Sequence, residues 1–444
     1  MAKPIVAVVG RPNVGKSTLF NRLAGKRISI VEDTPGVTRD RIYADSDWNG
    51  RKFSLIDTGG IEDLRTAEEN VILSEMRAQA QIAIDTADVI VLVVDVQVGV
   101  TANDSEVAAI LHRSRKPVVL ACNKVDGVGG VPMQLYEFYN LGLGEPIAVS
   151  AVHGKGTGDL LDAVVALLPA EDAGEGDEDE AIKIAVVGKP NAGKSSVINK
   201  ILGEKRLIVS DQPGTTRDSI DSSVMRDGEE FTLIDTAGMR KRGKIDENIE
   251  KYSVMRSLAA IERADVVLMM IDGSEGVTEQ DTKIAGFAHD NGKAIVIAVN
   301  KWDIIEKDDK TQGEFKRDIR RVLGFMQYAP IIFISAVTGQ RVNQIFEMAK
   351  YVHEQSGLRV STGALNEVIS DSVMRQQPPS DKGKRLKIYY ATQVGVHPPT
   401  FVVFVNDSQL MHFSYERYLE NQIREVFNFE GTAIKMIIRD KGAD

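Results

Sequence analysis

The sequence predicts an α/β protein in which a mostly parallel sheet with helices on both faces is built twice and followed by a smaller α+β module. Three observations carry this. Short β-branched and aliphatic runs alternate with amphipathic stretches of helical period, as in a parallel sheet whose crossovers are helices. The arrangement then recurs: Gly10-Arg-Pro-Asn-Val-Gly-Lys-Ser17 returns as Gly188-Lys-Pro-Asn-Ala-Gly-Lys-Ser195, 178 positions later, and self-similarity at a fixed offset marks a duplicated unit. Finally, residues 357–444 break the alternation and order themselves as helix, strand, strand, helix, strand.

In the first copy the expected strands are Pro4–Val9, Phe53–Ile56, Val89–Val94, Val118–Ala121 and Ile147–Val149, with Lys16–Leu23 and Asp104–Arg113 as helices between them. Pro35-Gly-Val-Thr-Arg-Asp40 and Leu55-Ile-Asp-Thr-Gly-Gly60 recur as Pro213–Asp218 and Leu233–Gly238, displaced by 178 positions. Asn123-Lys-Val-Asp126 recurs as Asn300-Lys-Trp-Asp303, displaced by 177, and Ser150-Ala-Val152 as Ser335-Ala-Val337. The last module is expected as Leu365–Met374 (helix), Leu386–Gln393 and Phe401–Val405 (strands), Tyr415–Val426 (helix) and Ala433–Arg439 (strand).

Charge locates the boundaries. The chain has 444 residues and a net charge of −10. Residues 1–168 carry −4, residues 169–181 carry −7, residues 182–356 are neutral and residues 357–444 carry +1. The thirteen-residue stretch from Pro169 to Ala181 has seven acidic groups, no basic one and no large apolar residue. Its like charges repel and it has nothing to bury, so an extended, mobile linker is expected. The domains are therefore 1–168, the linker 169–181, 182–356 and 357–444. A single cysteine, Cys122, excludes an internal disulfide and is expected as a buried thiol. No apolar run approaches the roughly 20 residues that span a bilayer and no secretory leader is visible. These features point to a cytoplasmic chain without membrane partners, expected as a monomer.

Gly10-x-x-x-x-Gly15-Lys16-Ser17 follows a strand and opens a helix, the context a Walker A loop requires. Glycines let backbone N–H groups turn toward phosphate oxygens, and the helix N-terminus favours negative charge. Lys16 would reach the β- and γ-phosphates and Ser17 would hold Mg²⁺, with Thr18 next among the nucleotide contacts. Gly188, Gly193, Lys194, Ser195 and Ser196 take the same parts in the second copy. Asp57 and Asp235 are expected to end strands, where a Mg²⁺-associated carboxylate sits. Gly60 and Gly238, three residues on, can turn a backbone N–H to the γ-phosphate.

Asn123, Lys124 and Asp126, and Asn300, Lys301 and Asp303, follow apolar strands. Guanine presents N1–H and N2–H₂ donors side by side and adenine does not, so a fixed Asp126 or Asp303 carboxylate selects guanine. Lys124 and Lys301 would cover the ring with their stems. Ser150-Ala151 and Ser335-Ala336 would bring a backbone N–H to guanine O6. These patterns describe two GTP/GDP sites and a GTP-hydrolysing enzyme.

With these motifs present twice, the chain resembles the bacterial tandem Era-like GTPases, the Der or EngA family of ribosome-assembly GTPases, along essentially its whole length. The resemblance implies two P-loop GTPase domains and a C-terminal KH-like domain, acting as a switch in biogenesis of the large ribosomal subunit. Its implied partners are that subunit and ribosomal RNA. It implies that Thr38 and Thr216 contact Mg²⁺ when GTP is bound, and that Asn13 and Asn191 bind K⁺ near the β- and γ-phosphates. A K⁺ ion there would offset developing charge.

Ile61 and Met239 stand where a water-orienting Gln is common and have no hydrogen-bonding side-chain group for that purpose, so slow intrinsic hydrolysis is expected. Arg39 and Arg217 lie nearby as alternative charge-stabilising groups. After Gly238 the second copy carries Arg240, Lys241, Arg242, Lys244 and then Lys251, a basic loop suited to RNA phosphates. The last module has no Gly-x-x-Gly loop, the RNA clamp of ordinary KH domains. Its basic patch Lys382, Lys384, Arg385 and Lys387 precedes Tyr389 and Tyr390, which at strand spacing are expected to pack. An adaptor with one structural GTP site, or a GTPase subunit of a tRNA-modifying enzyme, are the competing readings. Complete motifs in both copies oppose the first, and the lack of a second catalytic constellation opposes the other.

Overall fold

The computed structural model describes residues 3–24, 43–58, 69–126, 133–169, 181–203, 221–226, 228–236, 249–378, 380–381 and 384–441. The chain divides into two compact units, Met1–Asp177 and Glu178–Asp444. Thr38, Arg39, Gly60, Ile61, Thr216, Arg217, Gly238, Met239 and the basic run Arg240–Lys244 lie outside the described residues, as do residues 170–180 of the linker.

The first unit is built from β1 (Ile5–Val9), α1 (Lys16–Leu23), β2 (Tyr43–Trp48), β3 (Arg51–Asp57), α2 (Glu69–Thr86), β4 (Val89–Asp95), α3 (Ala102–Ser114), β5 (Val118–Asn123), β6 (Ile147–Ala148) and α4 (Thr157–Leu167), with a 3-10 segment over Met133–Leu141. The six strands order as β2-β3-β1-β4-β5-β6. All pair in parallel except β2 with β3. Every residue of β1 and β4 is buried, because helices cover both faces and a strand there has no solvent side. Leu19, Phe20 and Leu23 of α1 and Leu160, Leu161 and Val164 of α4 pack with Val6, Val8, Val91 and Val93. Each such side chain gains about 1.5–3 kcal/mol on burial.

One strand is absent from the sequence reading. β2 pairs antiparallel with β3 through the two-residue loop Asn49-Gly50, both at positive φ (51° and 80°). This is the turn that matches the twist of a hairpin, and the Asn-Gly pair was its signal.

The second unit repeats the plan with β7 (Ile182–Val187), α5 (Lys194–Leu202), β8 (Ser222–Arg226), β9 (Glu229–Ile234), α6 (Ile249–Arg263), β10 (Val266–Asp272), α7 (Glu279–Asp290), β11 (Ala294–Asn300), α8 (Thr311–Val322), β12 (Ile331–Phe333) and α9 (Gln344–Ser356). Read from β8, its sheet has the same order, β8-β9-β7-β10-β11-β12. Asp235 does not end β9 as expected. It lies just past the strand at φ 58°, with its N–H donated to the Asp221 carboxylate at 2.8 Å.

The last module adds α10 (Thr362–Arg375), the short pair β13 (Ser380–Asp381) and β14 (Lys384–Arg385), β15 (Ile388–Gly395), β16 (Thr400–Val405), α11 (Phe413–Phe427) and β17 (Lys435–Asp440). Helix, strand, strand, helix and strand thus follow in the expected order. β15 runs antiparallel to β16 and β17 parallel to it, with Leu365, Ile369, Leu419 and Ile423 packed against Phe401 and Val403.

Tyr389 and Tyr390 are less buried than the expectation of packing implies, 47% and 42% exposed, although Tyr390 does pack on one neighbour. The β15–β16 register slips between Ile388 and Tyr390. A bulge adds a residue and upsets the strict in–out alternation on which that expectation rested. The Tyr390 ring stacks on Phe404 at 4.4 Å, and the Lys441 ammonium sits 4.5 Å over Tyr389.

This module joins the second sheet directly. Ile295 at the start of β11 donates its N–H to the Gly431 carbonyl at 2.6 Å, and Gly431 donates to the Tyr328 carbonyl at 2.8 Å. Gly431 has φ 79°, and a Cβ there would lie 2.1 Å from Cγ1 of Val352, so no other residue fits the contact. The Arg424 guanidinium covers the Tyr328 ring at 4.4 Å.

Candidate functional sites

Parallel strands deliver their loops to one edge of the sheet, and the predicted site residues gather there. In the first unit Gly10 follows β1, and the loop climbs through Asn13 to Gly15, the N-terminal cap of α1. Asn13 and Asn191 are exposed at φ 64° in both copies, a left-handed geometry that Asn tolerates. Gly15 and Gly193 both have φ 92°. A Cβ on either would meet the amide nitrogen of Asn123 or Asn300, at 2.4 Å and 2.0 Å. Glycine is required there by conformation and by space.

That neighbouring amide is the centre of the arrangement. Asn123 donates through Nδ2 to the Val14 carbonyl at 2.8 Å and accepts the Ala151 N–H on Oδ1 at 2.9 Å. Asn300 does the same between Ala192 and Ala336, at 2.9 Å and 3.0 Å. Each buried Asn is thus a strut tying the phosphate-type loop to the Ser-Ala loop. The N–H groups of both Ser-Ala pairs are used within the protein, Ser150 to Lys155 and Ser335 to Gln340.

Lys16 and Lys194, only 5% and 7% exposed, lie across the loop mouth. Lys16 donates to the Arg11 carbonyl at 2.9 Å, and Lys194 to the carbonyls of Gly188 and Lys189, both at 2.6 Å. Ser17 and Thr18 are exposed on the first turn of α1; Ser195 is half-buried and Ser196 exposed on α5. Asp57 is buried at the end of β3, opposite Val8 of β1.

At the other end of each site, Asp126 and Asp303 are exposed carboxylates. The Ser150 hydroxyl donates to Asp126 at 2.5 Å. The corresponding Ser335 hydroxyl, with Asp303's own backbone, holds the Asp303 carboxyl below the usual carboxylate range. Lys124 and Lys301 adopt φ 68° and 60°. Their ammonium groups pair with Asp95 at 2.7 Å and Asp272 at 2.5 Å. Burial pushes the Asp272 carboxyl up, but Lys301 and Ser274 together outweigh it and leave it lowered.

Asp95 and Asp272 were missed by sequence reasoning, as were Asp104 and Asp281. Each recurs at the 177-residue offset, which was the available signal. Asp104 and Asp281 complete capping boxes with Thr101 and Thr278 at the starts of α3 and α7. Arg11 of the first loop lies 3.4 Å from Asp104. Lys189, its counterpart, instead pairs with Glu275 at 2.5 Å. Cys122 is fully buried, and burial raises its thiol to about 12.

Comparison with known proteins agrees with this geometry. A family model described as 50S ribosome-binding GTPase matches residues 5–124 and again 183–301. A model described as the C-terminal KH-domain-like region of EngA bacterial GTPase enzymes matches residues 359–439. The chain is 62% identical over 441 residues to the GTPase Der of Acetivibrio thermocellus, covering 99% of both chains. It is equally similar, over the same share of both chains, to that of Ruminiclostridium cellulolyticum. It is 60% identical to that of Desulfitobacterium hafniense strain Y51, again over 99% of each. A chain with this duplicated P-loop frame, a KH-like C-terminal module and such relatives belongs to the GTPase Der family, and it is a GTP-hydrolysing enzyme.

Proposed function

We propose that this GTPase is a molecular switch with two GTP sites that acts in biogenesis of the large ribosomal subunit through nucleotide-dependent binding to ribosomal RNA. The observation that carries the two-site reading is the asparagine strut, made with the same partners in both copies. Each strut holds a phosphate loop and a base-recognition loop in fixed relation, which is what a nucleotide spanning both requires.

Within each site Lys16 and Lys194 meet the β- and γ-phosphates, and the loops Gly10–Ser17 and Gly188–Ser195 supply backbone N–H groups. Gly60 and Gly238 serve the γ-phosphate. Asp126 and Asp303 accept from guanine and Lys124 and Lys301 cover it; Ser150-Ala151 and Ser335-Ala336 border its O6 side, but in this structure their N–H groups are donated to Lys155, Asn123, Gln340 and Asn300 instead of standing open to O6 as expected. The donor set fits Mg²⁺, a hard cation that prefers oxygen: hydroxyls of Ser17 and Ser195, carboxylates of Asp57 and Asp235, with Thr38 and Thr216. When bound, Mg²⁺ neutralises charge on the β- and γ-oxygens. The exposed Asn13 and Asn191 fit K⁺ in the same way. Faster GTP hydrolysis in K⁺ than in Na⁺ is expected, and equal rates would exclude a K⁺ role.

RNA contact is supported by the exposed Tyr389 and Tyr390, beside Lys441 and exposed Lys384, Arg385 and Lys387. Aromatic faces next to cations suit stacked bases and phosphates. The test is co-sedimentation with ribosomal subunits under GTP analogue, GDP and no nucleotide, across a salt series. Association with the large subunit in one nucleotide state is expected, weakened by Tyr389→Ala with Tyr390→Ala. Equal association in all three states would remove the switch. Hydrolysis by Lys16→Ala and Lys194→Ala separately tests whether both copies turn over, and a copy that contributes no turnover would be an adaptor.

A further inference from the structure

We infer that Asp95 and Asp272 are positioning residues for guanine nucleotide, each fixing the lysine that covers the base; this rests on the guanine-site reading above. Asp95 ends β4 in register with Asn123 at the end of β5, and Asp272 ends β10 in register with Asn300. The next residue, Lys124 or Lys301, turns into the left-handed region that an L-residue with a long side chain seldom adopts. Its ammonium is drawn back onto the neighbouring strand end, to one carboxylate oxygen of Asp95 or Asp272.

The carboxylate is anchored independently of the lysine. Its other oxygen accepts the N–H of Gln97 at 2.9 Å in the first site. In the second it accepts the N–H and hydroxyl of Ser274, at 2.9 Å and 2.6 Å. The acid side chains are 6% and 0% exposed, and the lysines 35% and 34%. A buried, pre-oriented anion thus holds the far end of a half-exposed stem, so the stem is in place before the base arrives and little side-chain freedom is lost on binding. The two sites reach this arrangement with different neighbours, Val125 and Gln97 in one, Trp302 and Ser274 in the other.

The test is a double-mutant cycle on GDP affinity by calorimetry. It uses the full chain, with Lys16→Ala and Asp126→Ala disabling the first site. Asp272→Asn keeps the shape and the Ser274 contacts but removes the charge, and should raise the Kd for GDP about tenfold. Lys301→Met should do at least as much, and the double variant should be no worse than Lys301→Met alone. The ratio of GDP to IDP affinity should not change in Asp272→Asn, because IDP lacks only the amino group that Asp303 reads. Multiplicative losses in the double variant, or a changed GDP-to-IDP ratio, would overturn the positioning role. So would an unchanged Kd in Asp272→Asn beside a loss in Lys301→Met. An unchanged Kd in Lys301→Met would overturn it as well, whereas an unchanged Kd for GDP in Asp303→Ala would instead overturn the guanine-site reading itself. If Asp272→Asn does not fold, the same cycle on Asp95 and Lys124, with the second site disabled, gives the same decision.

Discussion

The two proposed nucleotide sites agree closely at the end assigned to the base and diverge at the end assigned to the phosphates. Asn123 and Asn300 make the same two hydrogen bonds, and Lys124–Asp95 matches Lys301–Asp272. At the phosphate end, Arg11 faces the buried Asp104, whereas Lys189 has turned to Glu275, whose side chain is 61% exposed. Asp57 lies within β3, whereas Asp235 has left β9 in a left-handed turn. The shared parts are struts between backbone loops, where any change breaks the frame. The differing parts are charges and turns beside the phosphates, where one frame can be tuned to two affinities or rates.

The largest effect should test the sameness. Asn123→Ala leaves the Val14 carbonyl and the Ala151 N–H buried without their partner, and Asn300→Ala does the same to Ala192 and Ala336. Two orphaned groups at about 1–3 kcal/mol each predict a loss of about 2–6 kcal/mol in either module, with nucleotide affinity lost alongside. Denaturant unfolding and GDP titration of both variants measure this. A large loss in one module and none in the other would break the comparison.

The next prediction tests the difference. Arg11→Met removes the cation beside the fully buried Asp104 carboxylate, whose other oxygen is still held by Thr101, and a charged group that loses one buried partner costs about 1–3 kcal/mol. Lys189→Met leaves an exposed Glu275 that water can solvate, worth about 0–1 kcal/mol. Denaturant unfolding should therefore show the larger loss in Arg11→Met, by about 1 kcal/mol or more. Equal losses would mean that Lys189 and Arg11 do the same work.

Much of this frame was legible in the residue pattern, because the loops are read from local chemistry. The Gly15-Lys16-Ser17 and Asn123-Lys124-Val125-Asp126 motifs place their residues at strand ends wherever the strands fall. What stayed hidden depends on register or on distant partners. Asp95, one residue past the expected strand Val89–Val94, and Asp272 belong to no motif until pairing sets them beside Asn123 and Asn300. Tyr389 and Tyr390 read as strand positions until a bulge moves them out, and a bulge leaves no mark in an alternating pattern. Arg22 is a third case: only the fold reveals that it donates to the carbonyls of Ala151 and Val152, at 3.2 Å and 2.5 Å.

Arg22 also sets a smaller prediction. Its counterpart at the 178-residue offset is Lys200, whose stem packs beside Gly339. Arg22→Met removes two hydrogen bonds from a charged donor, about 1.5–3 kcal/mol each at most when buried; at this partly exposed position a loss of about 1 kcal/mol is expected. Lys200→Met removes only a cation above the second loop, and GDP affinity there should change less than twofold. Titration of each site with the other disabled makes the comparison, and equal losses would show that both side chains act through charge alone.

The smallest effect appears only in acid. The Ser335 hydroxyl is the main cause of the lowered Asp303 carboxyl, so Asp303, the proposed acceptor for guanine, keeps its charge to lower pH than an ordinary carboxylate. The sign follows directly: a lowered value keeps the charged form present above it and loses that form only when pH drops through it. Ser335→Ala returns the carboxyl toward its ordinary value, so its protonated, non-accepting fraction grows at higher pH than in the parent. GDP affinity at the second site should then be nearly the same in both proteins at pH 7 and diverge below about pH 5, with the variant weaker. A loss of the same size at every pH would mean that Ser335 shapes the loop instead of holding the charge.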